Sequence, residues 1–222
     1  MVESRSRFLG RGHYGPLAER LTETFGDPAA SAMAAPLEVL DSGCGEGYFL
    51  AHLRRALEAR GTAARLRGVD VSRPAIRAAA RRDPALFLAV ASVHRLPVLT
   101  SSLDVLLRVL APVDASEFRR VLRPGGRLLS VTPGPQHLFA LREIVYERPA
   151  AREAESAPNG FTLVREETLS FPIHLSRSRD ALDLLAMTPY YWHASEEARE
   201  RLRRLEDLET TADFRIAVYA QR

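Results

Sequence analysis

The sequence contains no lysine, so all 31 of its basic side chains are arginine. Against 28 acids they leave a formal net charge of +3, which excludes a strong basic field over the whole surface. A G+C-rich coding sequence accounts for an arginine-only set. Arginine also grips phosphate bidentately and stacks on bases, so the surface is compatible with RNA. Cysteine is nearly absent: Cys44 stands alone, which excludes an internal disulfide and a cysteine-rich zinc site. No metal site is expected. No apolar run approaches the roughly twenty residues of a membrane span, and Met1–Arg7 lacks the apolar core of a signal peptide. The expected compartment is the cytoplasm. At 222 residues, 46% hydrophobic and 27% charged, the chain is long enough for one domain with a substantial core.

What is present is concentrated in Asp41-Ser42-Gly43-Cys44-Gly45-Glu46-Gly47, fed by the apolar run Leu37-Glu38-Val39-Leu40. It reads as a strand entering a glycine-rich turn and then a helix. Glycines at alternate positions let the backbone turn sharply and admit a ligand against the main chain. Such a turn alone is a weak signal. Its neighbourhood sharpens it: a second strand over 65–70 ends in Asp70, about where a ribose-binding carboxylate belongs. A pyrophosphate-binding turn presents a bare helix N-terminus to phosphate, whereas here Glu46 occupies that end. An anionic side chain beside the ligand suits a cationic cofactor, which points to S-adenosylmethionine over NAD.

Residues 1–13 read as a polar, arginine-rich arm, loosely ordered or packed over a site. Leu17, Leu21 and Phe25 share one helical face, predicting a helix over 14–25. Gly26-Asp27-Pro28 ends it, and an alanine-rich connector follows. Strands are predicted at 37–41, 65–70, 86–90, 103–109 and 127–132, alternating with helices at 46–60, 73–82 and 114–122. Arg123-Pro124-Gly125-Gly126 reads as a turn, and a helix over 136–147 closes this half. Alternation of this kind implies an α/β fold, a doubly wound Rossmann-like sheet, mostly parallel, with helices on both faces. Beyond the charged connector 150–159, strands at 161–173 and 211–220 suit a late antiparallel hairpin, with helices near 178–187 and 195–207. The expected division is 1–30, an N-terminal arm and helix covering the cofactor site, and 31–222, the main domain.

Asp41 to Gly47, Gly68-Val-Asp-Val-Ser72, Leu122-Arg-Pro-Gly-Gly126 and the late hairpin resemble a class I S-adenosylmethionine-dependent methyltransferase. More narrowly, several stretches resemble the bacterial 23S rRNA guanine-N1 methyltransferases, a family that includes macrolide-resistance members. They are Gly12-His-Tyr14, Asp41 to Tyr48, Asp70-Val-Ser72, Ala91-Ser-Val-His-Arg-Leu-Pro97 and Arg108-Val-Leu-Ala-Pro112. Thr132-Pro-Gly-Pro-Gln-His-Leu138, Asn159-Gly-Phe-Thr-Leu163 and Met187-Thr-Pro189 complete the set. The resemblance runs from about residue 7 to the C-terminus. Thr-Pro-Gly-Pro-x-His-Leu and Ser-x-His-Arg-Leu-Pro are its most specific parts. One departure stands out: the family carries an N-terminal four-cysteine zinc ribbon, and this sequence has no cysteines to build one. It is either a shortened version of such a protein or a ribbon-less relative with another substrate.

The resemblance implies an rRNA processing enzyme and distributes roles. Gly43, Gly45 and Gly47 form the cofactor turn with Asp41, and Gly45 and Glu46 lie at the cofactor; alternatively Glu46 is an ordinary helix N-terminal acid favoured by the dipole. Asp70 accepts from the ribose hydroxyls, two acceptors for two donors. Tyr14 covers the methionine end, or is a plain core aromatic. His137, after the stiff Pro133-Gly-Pro135 turn, contacts the cofactor, or is structural. Ser92 and His94 occupy the loop that commonly meets adenine, with packing or capping as the other role for His94. Arg108 and Leu110 follow the fourth strand on the acceptor side, where no Asn/Asp-Pro-Pro-Tyr/Phe motif is present to grip an exocyclic amine. Tyr190 and Trp192 belong to an aromatic stretch that is either a platform for a flat acceptor or a packed lid. No catalytic base can be named. Expected partners are rRNA or a small aromatic acceptor, with a homodimer left open and no membrane. The two rivals are a methyltransferase of small heterocyclic metabolites and a non-catalytic cofactor-binding, RNA-associated or regulatory protein.

Overall fold

A computed structural model describes residues 1–25, 36–150 and 153–222. The Gly26-Asp27-Pro28 stop, the alanine-rich connector and the expected boundary between residues 30 and 31 lie outside the described residues. In chain order the elements are α1 (Val2–Gly10), α2 (Gly15–Phe25), β1 (Leu37–Ser42), α3 (Tyr48–Ala59), β2 (Ala64–Asp70) and α4 (Arg73–Arg82). Then come β3 (Phe87–Val90), β4 (Leu103–Val109), α5 (Ala115–Val121), β5 (Leu122–Pro133) and α6 (Phe139–Val145). The last are β6 (Phe161–Leu175), α7 (Ser178–Ala186), a single-turn 3-10 helix (Pro189–Trp192), α8 (Glu196–Arg204) and β7 (Leu208–Gln221). They fall into two compact units interleaved along the chain. One holds Met1–Gly15, Pro133–Ala154 and Thr168–Arg215; the other holds Pro16–Thr132, Glu155–Glu167 and Ile216–Arg222.

The larger unit is built on the parallel strands. β1 pairs with β2 on one side and β4 on the other, β2 with β3, and β4 with β5, all parallel. The sheet order is β3-β2-β1-β4-β5-β7-β6, the late strands antiparallel and helices flanking both faces. The core gathers Leu40, Val69, Leu106, Phe118, Leu128 and Phe161. β1 and β4 are nearly all buried, which is why they read as apolar runs rather than alternating ones. Helix starts are set locally. Ser72 accepts from the Ala75 amide at α4, and Asp114 accepts from the Ser116 and Glu117 amides at α5. The Arg-Pro-Gly-Gly stretch does not simply precede β5. The pairing steps from Leu103↔Leu122 to Val105↔Arg127, so those residues loop out within the strand. Strand order reverses between β1 and β4. That makes their carboxyl ends the switch point, where open α/β sheets bind ligands.

In the other unit α1 packs on α7, and α8 packs on α6 and α7. Residues 1–13 are therefore not a loose arm. Phe8 and Leu9 are fully buried, and Arg7 donates from Nε to the buried Asp183 carboxylate at 2.8 Å, with a second bond from Nη2 at 2.5 Å. Arg11 pairs with Asp180 on the same helix. Burial opposes the charge on Asp183, but the Arg7 hydrogen bonds and charge outweigh it and lower its pKa.

Candidate active site

The turn after β1 spends its amides internally. Gly43 and Cys44 both donate to the Val69 carbonyl, at 2.8 and 2.9 Å, and Gly47 donates to Cys44 at 3.0 Å. The Gly45 amide donates to Asp70 Oδ2 at 3.0 Å, while Asp70 Oδ1 accepts from Ser72 at 2.8 Å. Asp70 thus braces the glycine turn and the start of α4 together. Four amides directed at protein oxygens leave no open cradle for a pyrophosphate. The field has the opposite sign. Asp41 and Glu46 are buried, and the Cys44 thiol pKa is pushed far up by burial and then by the charges of Asp41, Asp70 and Glu46. α3 begins at Tyr48, after Gly47 in a left-handed conformation (φ 77°), so Glu46 precedes the helix rather than occupying its first turn. Gly43 (φ 86°) has no room for a side chain, since a Cβ there would lie 2.5 Å from the Ala111 methyl.

The end of β4 lies against that turn. Arg108 is only 7% exposed. It donates through Nε to the Ala111 carbonyl, through Nη1 to Ser130 Oγ at 3.0 Å and through Nη2 to Glu155 Oε2 at 3.0 Å. Its guanidinium is therefore turned into the protein. Leu110 takes a left-handed φ of 54°, uncommon for a residue with a branched side chain, and its amide donates to Val131 at 3.0 Å. Glu155, which the sequence reading did not single out, enters through this contact. The 92–95 loop is tied elsewhere: Ser92 Oγ accepts from the His94 amide at 3.2 Å, and His94 Nδ1 lies 2.8 Å from Asp114 Oδ2. His94 thereby supports the cap of α5. Asp114 is held far below the usual carboxylate range by its bonds from Ser116, His94 and the Glu117 amide.

In the other unit Tyr14 and His137, distant in sequence, meet. The Tyr14 hydroxyl lies 3.4 Å from His137 Nε2, and both rings pack on Phe214. Burial pushes the Tyr14 phenol pKa well up. His137 Nδ1 accepts from the Asp213 amide at 3.2 Å, which puts the proton of the neutral ring on Nε2, facing Tyr14. Asp213 also explains the Pro-Gly-Pro motif. Its carbonyl accepts from Gly134 at 2.8 Å and its Oδ2 from Gln136 at 2.9 Å. A Cβ on Gly134 would collide with its carboxylate. Tyr190 and Trp192 are not one platform: Tyr190 is buried edge-on to Tyr146, whereas Trp192 is 71% exposed. Among the described residues no cluster of ligands is arranged to hold a metal ion, and no helix is long and apolar enough to cross a membrane.

A family profile described as a methyltransferase domain matches residues 39–126. The chain is 38% identical over 225 residues to the 23S rRNA (guanine(748)-N(1))-methyltransferase of Streptomyces fradiae, covering 98% of this chain and 77% of that protein. A Micromonospora griseorubida protein with the 23S rRNA (guanine-N(1)-)-methyltransferase designation is 37% identical, over 99% of this chain and 79% of its own length. Among solved structures, the YcgJ protein of Bacillus subtilis superposes with a TM-score of 0.55 at 17% identity, covering 92% of this chain and 97% of that one. That likeness concerns the fold alone.

Proposed function

This chain belongs to the family of 23S rRNA (guanine-N1) methyltransferases, and we propose that it methylates N1 of a guanine in large-subunit rRNA. It is an S-adenosylmethionine-dependent methyltransferase. The observation that carries the reading from geometry is the turn after β1, with inward-directed amides and three surrounding carboxylates. A cofactor whose sulfonium and ammonium are positive fits that field, whereas a dinucleotide pyrophosphate does not. The Ser42 hydroxyl, buried at the end of β1 without a hydrogen-bond partner among the described residues, adds a polar atom to the same turn.

Asp41, Glu46 and the Gly43–Gly47 backbone hold the cofactor in this reading, with Asp70 accepting from the ribose hydroxyls on lone pairs beyond those used by Gly45 and Ser72. When bound, the cofactor supplies an electrophilic methyl group. The protein's work is to align the acceptor, exclude water and take a proton from N1. A guanine in RNA exposes N1 only when unpaired or flipped from its stack. The exposed Trp192 suits stacking by such a base.

The test is methyl transfer from labelled cofactor to 23S rRNA fragments, with the product nucleoside identified by mass spectrometry. N1-methylguanine is the expected product. Label appearing in small aromatic metabolites and not in rRNA would overturn the acceptor in favour of the metabolite rival. Cofactor binding without transfer to either would favour the non-catalytic one. Light scattering on the same preparation tests for a homodimer.

A further inference from the structure

We propose that Glu155 is the general base that removes the N1 proton of the acceptor guanine, and that Arg108 positions it. The inference rests on the acceptor reading above and adds the residue that performs its proton transfer. It follows from a continuous line of contacts within one unit. The Ala111 methyl abuts Gly43 in the cofactor turn, close enough that a Cβ on Gly43 would sit 2.5 Å away. The Ala111 carbonyl accepts from Arg108 Nε, and Arg108 Nη2 donates to Glu155 at 3.0 Å. Arg108 is pinned from a further side by Ser130, its partner across the β4–β5 ladder. A guanidinium held by the Ala111 carbonyl and by Ser130 has one orientation in which to meet the Glu155 carboxylate. The left-handed Leu110 (φ 54°) makes the tight return that brings Ala111 back to Arg108. Backbone strain of that kind persists where the surroundings enforce it.

Glu155 is placed for chemistry as well as for a salt bridge. Its side chain is 38% exposed, against 8% for Arg108, and it lines a cavity of about 600 Å³ with Val113 and Ala115. A cavity of that size lies within the range that holds small ligands. The Watson–Crick edge of guanine offers two adjacent donors, N1–H and the 2-amino N–H. The two Glu155 oxygens lie side by side, Oε1 3.0 Å from Arg108 Nη1 and Oε2 3.0 Å from Arg108 Nη2, and each oxygen of a carboxylate has a second lone pair with which to accept from such donors. Adenine has an unprotonated, acceptor N1, which the same carboxylate would repel. The pairing therefore selects guanine over adenine as well as activating it.

The step balances. A Glu155 oxygen takes the N1 proton, and the N–H electron pair forms the new bond from N1 to the methyl carbon. The carbon–sulfur pair leaves with sulfur. A carboxylate and a sulfonium become a carboxylic acid and a neutral thioether.

The test uses the full chain, labelled cofactor and an rRNA fragment that the wild-type protein methylates at guanine N1. Glu155→Gln keeps the shape and a hydrogen bond to Arg108 but removes the base. We expect about a 10²–10⁴-fold loss of kcat at pH 7, with S-adenosylhomocysteine affinity by calorimetry equal to wild type. The residual rate should climb about tenfold per pH unit, as hydroxide replaces the carboxylate. Glu155→Asp, which retains the charge, should recover part of the rate and the wild-type profile shape. A Gln variant within threefold of wild type overturns the proposal, as does one whose loss leaves the pH profile unchanged. Loss of cofactor affinity together with rate also overturns it, assigning Glu155 a structural role. A wild-type product methylated elsewhere than guanine N1 would overturn the acceptor reading too, so the two failures are distinguishable.

Discussion

Gly43→Ala tests the contact on which both the cofactor turn and the Glu155 inference depend. Two separable costs are expected. The residue has a φ of 86°, and a left-handed conformation costs an L-residue about 1–2 kcal/mol. The new methyl would also lie 2.5 Å from the Ala111 methyl, whereas carbon atoms in contact prefer about 3.5–4 Å. Forcing the turn away from β4 costs about 1–3 kcal/mol, as overpacking does elsewhere. Together Gly43→Ala should lose about 2–5 kcal/mol, read as a lower urea midpoint at unchanged slope. Affinity for S-adenosylhomocysteine should fall about tenfold or more, since the displaced backbone is the one proposed to lie against the ligand. Ala111→Gly removes the other methyl. In the double variant the steric part should return, giving a coupling of about 1–3 kcal/mol, while the conformational part stays lost. A coupling below about 0.5 kcal/mol, the usual scatter of independent sites, would refute the reasoning. It would mean that the glycine is required for its φ alone and that the ends of β1 and β4 do not press on one another.

What the sequence discloses follows from how local each signal is. The Gly43–Gly47 turn and Asp70 are legible because a strand, a turn and an acid one strand later are short-range features, and their bonds join neighbouring strands. β1 and β4 are legible because burial on both faces leaves unbroken apolar runs. α1 is not, because Arg7 and Arg11 look like solvated charge until Asp183 and Asp180 arrive from α7. The first turn of α3 is misread because Gly47 is left-handed and delays the helix to Tyr48. At the site, Arg108 reads as a substrate contact when seen alone. Only its partners, Ser130 and Glu155, show that it faces inward. Asp213 is hidden in the same way: in sequence it is one acid in an alternating strand, yet it anchors Gly134, Gln136 and His137. The misses that involve charged residues share one cause. A charged side chain declares its function through the group that pairs with it, and that group is far along the chain.

Asp70→Ala should weaken S-adenosylhomocysteine binding by about 1.5–3 kcal/mol, since the charge-assisted bonds proposed to the ribose and the one from the Gly45 amide go together. Calorimetry showing unchanged affinity would remove Asp70 from the site. Among the described residues the Tyr14 hydroxyl makes only a long 3.4 Å contact to His137, so Tyr14→Phe should change stability by less than about 1 kcal/mol. A severalfold loss of cofactor affinity would then mark the hydroxyl as a ligand contact, and unchanged affinity would refute that role. Asp183→Asn should cost about 1–3 kcal/mol at pH 7, because Arg7 loses the charge it donates to. The folded-state pKa of Asp183 is lowered, Arg7 prevailing over burial, so its stabilisation is fully present above the unfolded aspartate value of about 3.9 and is lost as pH falls through the folded one. The stability gap between wild type and Asp183→Asn should therefore hold from pH 7 to about 5 and close below about 4. A gap that persists undiminished at lower pH would show that the asparagine disrupts the packing of α1 on α7 rather than an ion pair.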